Sequence, residues 1–84
     1  MSNLELRHLG REVKTALELA IVALAPSELL DGLASVAGLL EAVSELPSDS
    51  PPALALLPRT VERAERYLQE WRTWDKKNRT PAFA

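Results

Sequence analysis

Two proline-bearing breaks, at Pro26 and in the segment LPSDSPP at 46–52, cut this 84-residue chain into three stretches of helical length. A residue that precedes proline avoids the helical region, so each break ends whatever helix leads into it. Between the breaks apolar residues recur every three or four positions, and no stretch alternates with period two for long. The apolar side chains are sixteen leucines and twelve alanines against five valines and one isoleucine, so strong helix formers dominate and β-branched residues are scarce. The expectation is an all-α protein: a small up-down-up three-helix bundle, one domain over residues 1–79 with a flexible C-terminal tail at 80–84.

Helix 1 is expected from about Ser2 to Leu24. Ser2 and Glu5 have capping-box spacing. Leu6, Leu9, Val13, Ala16, Leu17, Ala20, Ile21 and Leu24 make one stripe, with Gly10 at its edge and Leu19 and Val22 off it. Helix 2 is expected from a Ser27 cap to about Leu46. Its seam is Leu29, Leu33, Val36, Leu40 and Val43, widened by Leu30, Ala37, Leu39 and Leu46. Gly32 and Gly38 each cost about 1 kcal/mol inside a helix relative to alanine, which close approach of another helix would offset. Ser50 is placed to cap the third helix, with Pro51 in the first helical position. Leu57, Val61, Ala64, Leu68 and Trp71 form the third seam, flanked by Thr60, Tyr67 and Trp74, and the helix reaches about Asn78. Pro58 leaves two alternatives: one helix that kinks there, or a short turn with the helix starting near it.

Charge is divided unevenly. Residues 1–58 hold three basic and eight acidic side chains, and residues 59–84 hold seven basic and four acidic, which together give the net charge of −2. The third helix ends in WRTWDKKNR, where Trp71 and Trp74 interleave with Arg72, Lys76, Lys77 and Arg79. Trp and Arg dominate protein-binding hot spots, and aromatic–basic interleaving also suits single-stranded nucleic acid. Against these stand two plain roles: Trp71 on the seam is a core residue, and cations near a helix C-terminus complement its dipole. Overall acidity argues against nucleic acid as the main partner.

Catalytic and metal chemistry have little to work with. The chain has no cysteine, which excludes disulfides and thiolate chemistry. Glu5 and His8 have the Glu-x-x-His spacing of carboxylate-bridged di-iron bundles, but only one such motif is present and His8 falls opposite the leucine stripe. Glu41 and Glu45 are an (i, i+4) acidic pair on the polar arc of helix 2, read as a solvated face. Ser2, Ser27 and Ser50 read as caps rather than nucleophiles, and no glycine-rich phosphate loop occurs. Asn78-Arg79-Thr80 has the form of a glycosylation acceptor but lacks a secretory context. No cofactor, metal or small-molecule substrate is expected.

The longest apolar run, Leu19 to Ala25, falls far short of the roughly 20 residues of a membrane span. The opening MSNLELRHLG lacks an apolar core behind basic residues, so a cytoplasmic protein without a membrane partner is expected. Surplus apolar helix surface and the lack of chemistry point to a non-catalytic interaction protein: a small adaptor, regulator or inhibitor, self-associating as a homodimer. The expected interface is Leu19, Val22, Gly38, Leu39, Ala42 and Leu46. A second expected surface is Trp74 with Arg72, Lys76, Lys77 and Arg79, which is also where nucleic acid, the alternative partner, would bind.

Overall fold

The computed structural model describes residues 3–47 and 49–78. It contains three α-helices, α1 (Asn3–Val22), α2 (Ser27–Glu45) and α3 (Pro51–Asn78). They pack up-down-up into an elongated three-helix bundle of 51 × 22 × 17 Å. The expected Ser2 cap, Arg79 and the 80–84 tail lie outside the described residues.

The corner between α1 and α2 differs from the sequence expectation, and the hydrogen bonds show why. α1 stops at Val22 because Leu24 adopts a left-handed conformation, φ 57°. The Ala25 amide then donates to the Ala20 carbonyl at 3.0 Å and the Leu24 amide to that of Ile21 at 3.1 Å. These are the two bonds of a Schellman motif, with Leu24 in the position that glycine usually takes. Ala20 and Ala25 supply its apolar contact, both buried in the core. Ile21 and Leu24, expected on the core stripe, are 53% and 85% exposed because the stripe is carried around the corner by Ala25 instead.

Pro26, not Ser27, caps α2: it is extended (φ −56°, ψ 144°), and its carbonyl accepts from the Leu29 and Leu30 amides at 3.0 and 3.1 Å. Ser27 is the first helical residue, and no side chain caps this end. α3 begins as the sequence leads one to expect. The Ser50 hydroxyl donates to the Pro47 carbonyl at 2.7 Å and accepts from the Ala53 amide at 3.3 Å, and Pro51 opens the helix. Of the two alternatives at Pro58, the structure has one helix that runs through the proline with no intervening turn.

The core follows the seams. Leu33, Val36, Leu40 and Val43 of α2 meet Leu6, Val13, Ala16 and Ala20 of α1 and Ala64, Leu68 and Trp71 of α3. Gly32 is buried under the Tyr67 ring, and any Cβ there would overlap it, so close helix approach is the reason for that glycine. Gly10 and Gly38 have no such neighbour. In the first half of α3 the buried line is Ala53 and Thr60 rather than Leu57 and Val61, which are only half-buried. α3 is 28 residues long and α1 is 20, an excess of about 12 Å at 1.5 Å per residue. Without α1 alongside, the buried face of that half turns toward α2. Thr60 satisfies its hydroxyl by donating to the Leu56 carbonyl at 2.8 Å.

Candidate interaction surface

The three helix–helix seams are unequal. Connections at 23–26 and 46–50 are short, so α1 lies against α2 and α2 against α3 as antiparallel neighbours. α1 and α3 run parallel, and theirs is the sparsest of the three contacts. What separates them is an open groove. At one end it is lined by Leu4, Glu5, His8, Leu9, Glu12 and Glu65. Its middle is formed by Arg11, Thr15, Ala16, Leu19, Leu68 and Arg72. At the α1–α2 corner it ends in Leu19, Val22, Ala23, Trp71, Trp74 and Asn78.

Arg72 and Glu12 pair across the groove, and His8 adjoins them. Arg72 of α3 stands 3.7 Å from a Glu12 oxygen, and the other Glu12 oxygen is 3.6 Å from Nε2 of His8. All three side chains are well exposed, so these pairs hold the walls together only weakly. Apolar groups along the groove are exposed. Leu19 is 49% exposed, Val22 82% and Leu4 77%. Trp71 is buried, and half-buried Trp74 stacks on it with centroids 5.8 Å apart and planes 23° from parallel. The Asn78 side chain donates to the Trp74 carbonyl at 2.9 Å and closes that end.

The expected interface residues fall in two places. Leu19 and Val22 join Trp74 in the groove. Gly38, Leu39, Ala42 and Leu46 lie toward the other end of the bundle, where α2 residues 37–44 pack level with α1 residues 6–14. Gly38 and Ala42 face solvent, and Leu39 and Leu46 are half-buried. Arg72, Lys76 and Lys77 sit together on exposed α3 surface with Gln69 and Thr73. Sequence reasoning missed Leu4, Ile21, Leu24, Leu54 and Leu56 as exposed apolar groups. For Leu4 the signal was present: it precedes Val22 by eighteen residues, five full turns, and so shares its line on α1.

The acidic candidates lie in water. Glu41 borders a shallow cleft beside Arg7, Arg11 and Lys14 of α1, away from the basic end of α3. Among the described residues every Asp, Glu, Lys, Arg and His is exposed except Asp75, which is half-buried. No group of three or more His, Asp or Glu that could hold a metal ion occurs among them, and no helix is long and apolar enough to cross a membrane. No protein-family model, curated protein or solved structure matches the chain.

Proposed function

We propose that this protein is a non-catalytic protein-interaction module, a small helical adaptor, regulator or inhibitor, that binds through the α1–α3 groove. The observation that carries this reading is the open wall of Leu19 and Val22 beside the Trp71–Trp74 stack. Apolar and aromatic side chains grouped in a concave surface and rimmed by charge are the usual anatomy of a protein-binding site. A groove between helices also suits helical partners, which lay an apolar face into it.

Nucleic acid is the weaker reading. Arg72, Lys76 and Lys77 offer cations for phosphate, but the chain carries a net charge of −2, and nucleic-acid binding needs a strong basic field.

The test is a photo-crosslinking amino acid at position 22, with position 34 on the solvent face of α2 as control. Crosslinks to protein from position 22 alone are expected in living cells. Equal yields from both positions, or none from either, would remove the groove as the binding site.

A further inference from the structure

The groove carries its own charge and apolar pattern, and that pattern identifies a partner. We propose that a second copy of this chain closes it, laid antiparallel across the α1–α3 face. This inference rests on the interaction reading above and names its partner.

Two spacings support it. On α1, Leu4 and Val22 stand on one line at opposite ends of the groove, and both are largely exposed. On α3, Glu65 and Lys76 are eleven residues apart, close to three turns, so they also share a line. Glu65 lines the acidic end of the groove, and Lys76 follows Arg72 one turn on toward the other end. A twofold axis across the groove exchanges its two ends. Leu4 of each copy then faces Val22 of the other, and Glu65 faces Lys76.

The two pairings require the same axis. The midpoint between Leu4 and Val22 is Val13, next to Glu12. The midpoint between Glu65 and Lys76 falls between Glu70 and Trp71, next to Arg72. Glu12 and Arg72 are the residues that meet across the groove, so both midpoints lie at one level of the bundle. An isologous contact demands this: one patch that is complementary to itself about a single axis.

The area is sufficient. The groove follows α1 for about 30 Å, on a molecule 22 Å wide. Two such faces bury roughly 1,300 Å² in total, above the ~1,000 Å² that a specific interface needs. A head-to-head contact through the α1–α2 corner alone, limited by the 22 × 17 Å cross-section, would fall below it.

The experiment is absolute mass by light scattering behind a sizing column, over a dilution series of the full chain. The expected mass is twice 9.3 kDa. Val22→Glu should yield the monomer with unchanged helical circular dichroism. Glu65→Lys and Lys76→Glu should each weaken the dimer roughly tenfold at low salt, because each places two like-charged pairs across the axis. The double variant should recover most of the loss. As a check that does not depend on weakening, Leu4→Cys with Val22→Cys in this cysteine-free chain should give an oxidised dimer, and Leu4→Cys with Ala34→Cys should not. A monomer at every concentration overturns the proposal, as does a dimer indifferent to Val22→Glu or to the charge exchange. A monomer that still crosslinks from position 22 to a different protein overturns only the second copy. A monomer with no such crosslink overturns the interaction reading as well.

Discussion

Along the α2–α3 seam Gly32 lets the Tyr67 ring descend onto the backbone of α2, whereas the α1–α3 seam is spanned by exposed Arg72 and Glu12 at 3.7 Å. The difference follows from connectivity. Two short connections force α2 against both of its neighbours, and nothing in the chain forces α1 against α3. Side chains at the closed seams are chosen for fit, with glycine where a ring must enter. At the open seam Leu19 and Val22 stay exposed beside the buried Leu68 and Trp71.

Substitutions can break that contrast or sharpen it. The largest effect is expected from Leu33→Ala, at a fully buried position in the middle helix. It should cost about 2–5 kcal/mol in urea unfolding, from lost transfer free energy and the cavity left behind. Gly32→Ala should cost about 1–2 kcal/mol despite alanine's better helix propensity, because the new methyl displaces the Tyr67 ring that packs against the core. Gly38→Ala, with open space around it, should instead stabilise by about 1 kcal/mol. A matched pair of opposite sign at two glycines of one helix would tie the closed seam to Tyr67. Equal shifts would show that the ring yields freely.

Leu24→Gly should also stabilise by about 1 kcal/mol, since glycine relieves the left-handed strain and an 85% exposed side chain gives up little packing. Thermal unfolding checks it. The smallest effect belongs to Arg72→Ala. Its pair with Glu12 is long and exposed, so global stability should change by less than about 0.5 kcal/mol. A larger loss would mean that the open seam contributes to the fold after all.

Much of the bundle was legible in the sequence because helical periodicity reports burial directly. The α2 seam of Leu29, Leu33, Val36, Leu40 and Val43 is buried as its spacing required. Ser50 and Pro51 start α3 through a local bond that needs no tertiary context. Misreadings arose where tertiary context decides. Ile21 and Leu24 have the right spacing for the core, but the chain turns the corner there and Ala25 takes the buried place. Leu57 and Val61 continue the α3 periodicity past the point where α1 is present to cover them. The candidate surface was legible in part. Leu19 and Val22 fell off the stripe and are exposed, but the pairing of Glu12 with Arg72 joins residues sixty positions apart, and no local pattern encodes it.

Pro58 has a consequence for how the molecule opens. Having no amide hydrogen, it leaves the Leu54 carbonyl without the usual donor four residues on, so the ladder of α3 has a missing rung about two turns from its start. Unwinding from Pro51 can reach that rung without pulling on Ala64, Leu68 or Trp71. α3 should therefore open in two steps, its first two turns before the rest. Amides at 54–57 should exchange with solvent deuterium by a local opening, and those at 64–71 only when the whole bundle comes apart.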